Sequence, residues 1–188
     1  ACMVSALALV VAVPALAAVE PAAPGHTQAA STAATPYTAA QFFETTSFSM
    51  ANADGLAFSE GRSHVLISSD QTGVFNAYAL PVAGGDPVPL TASTANATFA
   101  QSYFPDGRRV LVAADQGGNE LTHIYVRETD GTLRDLTPGD KLKAGFVGFS
   151  DDGQTFWLTS NERDPEVFDV YAYDAATYER KLVFRSEE

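Results

Sequence analysis

Short apolar runs separated by polar turns fill the chain from about Phe48 to its C-terminus. The clearest runs are 65–69, 110–114 and 156–160, and each is apolar with little alternation. A continuous apolar run of this length is typical of a β-strand that is covered on both faces. Glycine and proline interrupt the pattern at short intervals, which disfavours helices. The pattern therefore predicts an all-β chain.

The apolar pattern repeats along the chain. Gly61, Gly107 and Gly153 each close a strand-turn-strand unit, and they are spaced by 46 residues (107 − 61 and 153 − 107). Each repeat contains four strand-like pieces, which at this period is the signature of a β-propeller blade. A sandwich of about twelve strands is the alternative, but it does not require a regular spacing. The three predicted blades cover residues 48–91, 92–139 and 140–185.

Three blades are too few to close a ring. Propellers typically have four to eight blades, and an open stack leaves unpaired edges that favour aggregation. We therefore expect residues 41–188 to be a partial β-propeller. The missing blades come either from further sequence of a longer protein, which we favour, or from other copies of the chain.

The N-terminus has the pattern of a truncated signal peptide. An apolar run at 4–13 is followed by Ala15-Leu16-Ala17, which predicts cleavage after Ala17. The run is shorter than the roughly 20 residues of a membrane-spanning helix; a buried helix is the alternative. Residues 18–40 are rich in Ala, Pro, Thr and Ser and are predicted to be a flexible linker. These features predict a periplasmic or secreted protein with no membrane attachment after cleavage.

Composition narrows the classes of partner and site. The chain has 11 basic and 23 acidic residues, a formal charge of −12, which argues against nucleic acid and anionic membranes as partners. Cys2 is the only cysteine, so neither an internal disulfide nor a cysteine metal site is expected. Metal-binding and phosphate-binding motifs are absent from the sequence. We therefore expect no metal and no cofactor.

The sequence offers few candidates for catalysis. The nucleophile pattern G-x-S-x-G is absent, and Ser150 belongs to the third glycine turn. His123 stands at the repeat position held by Asn76 and Asp169, which indicates a structural polar position rather than a catalytic base. Such side chains are expected to bind loop backbone, because a buried polar group without a partner is costly. The sequence predicts no catalytic residue.

The loop 161–166 differs from the Gln-Gly turns at the same place in the earlier repeats. It is rich in charge, and it could present Glu162 or Arg163 to a ligand at one face of the propeller. The alternative is a solvated hairpin tip whose charges partly pair with one another. Glu162 and Arg163 are thus the candidate substrate-facing residues.

The string Asn161-Glu162-Arg163-Asp164-Pro165 resembles the propeller of the prolyl oligopeptidase family of serine peptidases, especially its dipeptidyl aminopeptidase and acylaminoacyl-peptidase members. This string is fairly specific for the family. The other similar strings lie at 37–43, 115–120, 124–126, 136–139 and 168–171. The resemblance covers about 37–184. In one departure, Ser59-Glu60-Gly61 is one residue shorter than the usual Ser-Pro-Asp-Gly, so we expect the first turn to have a different geometry.

The resemblance implies a two-part enzyme. Its propeller filters and positions peptide substrates, while a C-terminal α/β-hydrolase domain carries the catalytic Ser, Asp and His. None of those three maps onto this chain, so the chain alone is expected to be inactive. By the same resemblance, Glu162 is the position that would hold the amine of a substrate. A TolB-like periplasmic propeller that acts as a scaffold for proteins is the alternative function.

Overall fold

The structure is a computed structural model that describes residues 36–51 and 56–187. The predicted signal peptide, 1–17, and most of the predicted linker, 18–40, lie outside the described residues. A five-residue helix, α1 (Ala39–Phe43), precedes the first strand. The chain divides after Ala39, and the unit that begins at Ala40 contains all of the described strands.

The described strands form three antiparallel sheets of four strands, each in simple up-and-down order. Blade 1 contains β1 (Phe48–Met50), β2 (His64–Ser69), β3 (Asn76–Pro81) and β4 (Val88–Pro89). Blade 2 contains β5 (Thr98–Tyr103), β6 (Val110–Ala114), β7 (His123–Arg127) and β8 (Leu133–Asp135). Blade 3 contains β9 (Ala144–Phe149), β10 (Thr155–Asp164), β11 (Val167–Asp174) and β12 (Arg180–Phe184). The predicted four-stranded repeat is confirmed.

Strand β6 explains why the apolar runs lack alternation. Val110 and Val112 pack in a core shared with blade 1, whereas Leu111 and Ala113 pack in a core shared with blade 3. Successive side chains of a strand point to opposite faces, so a strand between two blades must be apolar at every position. The two cores therefore join the three blades through the middle one.

The first strand of each blade is irregular. In β5 the pairing with β6 shifts between Ala100 and Ser102, and in β9 the pairing with β10 shifts at the equivalent point, 46 residues later. In blade 1 the strand β1 ends at Met50. Among the residues described after it, Phe58 forms an isolated bridge with Val65 of β2, and Leu56 forms one with Tyr103 of blade 2.

The glycine turns lie at one end of the blades, which we call the turn end. At Gly107 (φ 67°) an added Cβ would lie 2.2 Å from the backbone nitrogen of Glu60, and that nitrogen donates a hydrogen bond to the Gly107 oxygen. At Gly153 an added Cβ would lie 2.8 Å from the ring of Pro105. Each of these glycines thus lets its turn sit against the turn of the preceding blade.

The first turn has the different geometry that its sequence predicted. In blade 2 the turn is closed by a hydrogen bond from the Gly107 nitrogen to the Phe104 oxygen, and in blade 1 by one from the Arg62 nitrogen to the Ser59 oxygen. Arg62, with φ 55°, therefore occupies the place of Gly107. Gly61 precedes that place by one residue, because two left-handed residues follow each other in this turn.

Arg109 ties blades 2 and 3 together at the turn end. Its guanidinium binds the Asp106 carboxylate (Nε to Oδ2, 2.6 Å) and donates through NH1 to the Ala175 carbonyl and the Tyr178 hydroxyl, both at 2.7 Å. The same group lies 4.2 Å from the centre of the Phe104 ring. Planar stacking and directed donors suit arginine better than lysine at this position.

Candidate functional site

The opposite end, which we call the loop end, carries the connections from the second to the third strand of each blade and those between blades. The shared polar position lies here. Asn76 Oδ1 accepts hydrogen bonds from the Ser93 nitrogen (2.8 Å) and the Thr91 hydroxyl (2.9 Å). Asp169 Oδ1 accepts one from the Ser186 nitrogen (2.9 Å), again 17 residues downstream. At these two positions the structural interpretation is confirmed.

His123 makes a different contact at the same repeat position. Its Nδ1 lies 2.8 Å from Oδ2 of Asp135, which belongs to the same blade. Ser150 lies at the turn end, where its hydroxyl donates to Asp152 (2.6 Å). A serine nucleophile and a histidine base must be within hydrogen-bond distance, so Ser150 and His123 do not form a catalytic pair.

Arg163 is held by two parallel hydrogen bonds to a buried carboxylate. Its Nε lies 2.7 Å from Asp169 Oδ2, and its NH2 lies 2.9 Å from Asp169 Oδ1 and 2.8 Å from the Ser186 carbonyl. The Arg163 hydrogen bonds lower the pKa of Asp169 to about 2. This bidentate geometry is the strong form of the pair. The guanidinium of Arg163 therefore fixes the hairpin in place.

Glu162 is also paired. Its Oε2 lies 2.7 Å from NH1 of Arg180, whose guanidinium stacks 4.9 Å from the centre of the Tyr171 ring. Burial, and then the hydrogen bond with Glu162, raise the pKa of the Tyr171 hydroxyl to about 12. About a quarter of the Glu162 side chain remains exposed (26%). The observed geometry is thus that of a hairpin tip with paired charges, and the substrate-facing role of Glu162 and Arg163 stays a prediction.

Three adjoining hollows follow the junction of blades 2 and 3 at the loop end, and we call them together the seam groove. Its walls are the loops 116–121 and 138–143 and the hairpin 161–168. The hollows have volumes of about 580, 280 and 270 Å³. Lys141 lines the first two, and Glu162 lines the second. Glu162, one of the two predicted substrate-facing residues, therefore lines a hollow that has room for a ligand.

Sequence reasoning missed two lysines of this groove. Lys141 and Lys143 lie in the loop between β8 and β9, and both are exposed. A lysine in a loop is a weak signal by itself. A clearer signal was available in the order Lys141-Leu142-Lys143, because a buried leucine between two lysines directs both charged side chains away from the core.

A further hollow, of about 530 Å³, lies on the face of blade 3 that points away from blade 2. Trp157, Ala172 and Val183 line it. Trp157 and Ala172 alternate along β10 and β11 with Phe156, Leu158 and Tyr171, which belong to the core shared with blade 2. Polar and charged side chains also line it: Thr155, Asp174, Glu179, Arg180 and Lys181. This face is therefore mixed in character.

Within 36–51 and 56–187, no group of three His, Cys, Asp or Glu side chains is placed to hold a metal ion. In the same part of the chain, no helix has the length and apolar character needed to cross a membrane.

Comparisons with known proteins match the fold rather than a family. No family model matches, and no curated protein matches. Among solved structures, a TolB-type protein from Agrobacterium tumefaciens has a TM-score of 0.55 and 20% identity, over 69% of this chain and 45% of that one. This chain is part of a β-propeller.

Two further structures carry the same fold with different activities in their names. A prolyl endopeptidase matches with a TM-score of 0.55 and 13% identity, over 70% of this chain and 21% of that one. An oligogalacturonate lyase from Vibrio parahaemolyticus matches with a TM-score of 0.53 and 15% identity, over 72% and 40%. The chain spans less than half the length of each of these propeller proteins. Propellers thus support several functions on one scaffold.

Proposed function

We propose that this chain is the propeller part of an exported serine peptidase, and that its loop end positions peptide substrates for an α/β-hydrolase domain of the same protein. The observation that carries the proposal is the seam groove. One of its walls is the Asn161-Glu162-Arg163-Asp164-Pro165 hairpin, which is the string most similar to the prolyl oligopeptidase family. The similarity to a prolyl endopeptidase structure supports the same proposal.

Glu162 is the residue through which the groove would recognise the amine of a peptide. Its carboxylate lines the groove and is held in position by Arg180 at 2.7 Å. A carboxylate has two oxygens and about four acceptor sites, so it can bind an ammonium group while it keeps Arg180. The bidentate Arg163–Asp169 pair holds the adjacent backbone, so the carboxylate presents a fixed target.

Calorimetric titration with the tetrapeptide Ala-Pro-Ala-Phe tests this role. We expect Glu162→Gln to weaken binding by roughly tenfold, the range of one charge-assisted hydrogen bond. Glu166→Gln is the matched control, since Glu166 is exposed in the same hairpin and is not a lining residue of the groove. The acetylated peptide should bind both variants and the wild type equally. If Glu162→Gln and Glu166→Gln bind the free peptide alike, the amine role is wrong.

The chain by itself should not turn over substrate. Chromogenic dipeptide and acyl-amino-acid substrates should remain intact, because the sequence has no G-x-S-x-G nucleophile turn and Ser150 is not paired with His123. Ser63 Oγ does lie 3.0 Å from His64 Nδ1, but these are neighbouring residues of an exposed turn. Turnover that a serine-directed inhibitor abolishes would refute this expectation. Export to the periplasm or medium is part of the proposal, and fractionation of cells that express the chain tests it.

A TolB-like scaffold for proteins is the second candidate function. The observation that favours it is the identity of 20% with the TolB-type structure, against 13% with the prolyl endopeptidase. A scaffold would bind folded proteins of the same compartment and would show no affinity for short peptides. Failure of the tetrapeptide to bind, together with crosslinking of the chain to folded periplasmic proteins, would favour this function.

A further inference from the structure

The loop between β8 and β9 carries two lysines on a fixed backbone. Leu142 is buried, with 5% exposure, in the core between blades 2 and 3. Gly139 lies so close to it that an added Cβ would be 3.2 Å from the Leu142 Cβ. Because Leu142 points inward, Lys141 and Lys143 on either side of it point to solvent. The leucine thus anchors the loop that presents both ammonium groups.

Asn161 fixes the same loop from the other side of the groove. Its side-chain Oδ1 accepts a hydrogen bond of 2.6 Å from the backbone nitrogen of Lys143. The backbone nitrogen of Asn161 donates to the backbone oxygen of Lys143 at 3.1 Å. The Asn161 side chain is buried and also donates to the Pro165 carbonyl (3.1 Å). The backbone of Lys143 is therefore bound to the hairpin 161–168. Ligand binding would then cost little additional backbone entropy.

Within the described ranges 36–51 and 56–187, neither Lys141 nor Lys143 makes an ion pair. In contrast, four arginines of the same chain are paired with carboxylates: Arg108, Arg109, Arg163 and Arg180. None of the three lysines of the chain makes an ion pair within the described ranges, and two of the three line this one hollow in a chain with a charge of −12.

The hollow that these lysines line also has an apolar side. Leu121, Pro165 and Phe168 line it, and Phe168 is 40% exposed. Glu120 is the one carboxylate of this hollow, so its formal charge is +1 with both lysines protonated. A single carboxylate next to an apolar side chain matches this arrangement, whereas Glu120 would repel a more highly charged group such as a phosphate.

We propose that this hollow binds the C-terminal carboxylate of a peptide whose last residue is apolar. The ammonium groups of Lys141 and Lys143 bind the carboxylate oxygens, and Leu121, Pro165 and Phe168 contact the last side chain. The inference rests on the proposed function, because it requires peptides to bind at the loop end. It adds the direction of the peptide, with its C-terminal end in the hollow next to Phe168.

Calorimetric titration with matched peptides tests the proposal. The probes are Ala-Pro-Ala-Phe with a free carboxylate, the same peptide as its C-terminal amide, and the amide Ala-Glu-Ala-Phe. All three keep a free amine, so any contribution of Glu162 is common to them. We expect the free carboxylate to bind roughly tenfold more tightly than either amide, as for one charge-assisted contact. An equal gain from the internal glutamate would overturn the C-terminal assignment.

Lysine variants test whether Lys141 and Lys143 cause the tighter binding of the free carboxylate. The double variant Lys141→Gln, Lys143→Gln should bind the free carboxylate as weakly as the amide. Lys181→Gln is the control, because the third lysine lines the separate hollow on the outer face of blade 3. If the wild type binds carboxylate and amide equally, the carboxylate site is refuted while peptide binding at the loop end stands. If it binds none of the three peptides, both this inference and the proposed function fail.

Discussion

The contact of Gly107 with blade 1 makes a sharp prediction for the variant Gly107→Ala. The new Cβ would lie 2.2 Å from the Glu60 nitrogen, whereas ordinary contact begins at 3.4 Å, so the two backbones must separate by about 1.2 Å (3.4 − 2.2). This movement would weaken the 3.0 Å hydrogen bond from the Glu60 nitrogen to the Gly107 oxygen. The obstacle is backbone, so no side-chain rotation relieves it.

The expected loss combines three costs. The left-handed backbone costs an alanine roughly 1–2 kcal/mol. Overpacking adds about 1–3 kcal/mol, and the weakened hydrogen bond adds about 0.5–1.5 kcal/mol. Gly117→Ala is a matched control, because Gly117 has nearly the same φ (65° against 67°) but open space at its Cβ. Gly117→Ala should therefore lose only the free energy that the left-handed backbone conformation costs an alanine.

Urea unfolding followed by the fluorescence of Trp157, the only tryptophan, measures both variants. Gly107→Ala should lower the free energy of unfolding by roughly 1.5–4.5 kcal/mol more than Gly117→Ala, which is the sum of the overpacking and hydrogen-bond costs. Gly153→Ala should be intermediate, since its added Cβ would meet the ring of Pro105 at 2.8 Å. Equal losses for Gly107→Ala and Gly117→Ala would refute the claim that blade contact, rather than backbone conformation, requires glycine at 107.

Three further changes test other contacts by urea unfolding. Asp169 has a pKa of about 2 against an ordinary 3.8, so its contribution to stability is present above pH 4 and is lost as the pH falls through 2. Asp169→Asn should remove that part of the pH dependence. Arg109→Lys should cost about 1–2 kcal/mol, because lysine cannot keep both the stacking and the directed hydrogen bonds. Thr137→Val should cost about 1–3 kcal/mol, since the Ile124 nitrogen loses its buried acceptor, whereas exposed Thr94→Val should cost less than about 0.5 kcal/mol.

Different results would contradict each of these expectations. For Asp169 the contradicting result is that the asparagine variant loses unfolding free energy at acid pH as the wild type does. An asparagine is compatible with the fold at this position, because Asn76 occupies the equivalent position of blade 1. For Arg109 it is a lysine variant as stable as the wild type. For Thr137 it is a loss no larger than that of Thr94→Val.

The number of blades could be predicted because it depends on a pattern that every blade repeats. A strand such as β6, between two cores, must be apolar at each position, and that requirement is visible in the sequence. The register of the first turn could not be predicted in the same way. Gly61 has the 46-residue spacing, yet Arg62 takes the place of Gly107, because the turn type changes with the residues around it.

The site was predicted less completely than the fold. The hairpin with Glu162 and Arg163 does lie at the loop end, beside a groove. The Arg163–Asp169 pair depends on a register shift between β10 and β11 after Ser160, and local sequence does not specify such a shift. Lys141 belongs to the groove only because blades 2 and 3 meet there, and no single segment of sequence contains that information.

The glycine contacts of the turn end also have a direction along the chain. Gly107 contacts Glu60, and Gly153 contacts Pro105. Each glycine turn therefore packs against a turn that comes earlier in the sequence. During synthesis from the N-terminus, the earlier turn therefore leaves the ribosome before the glycine turn that will pack against it. A change at Glu60 therefore alters the surface that the Gly107 turn packs against, whereas a change in the Gly153 turn leaves the contact between Gly107 and Glu60 in place.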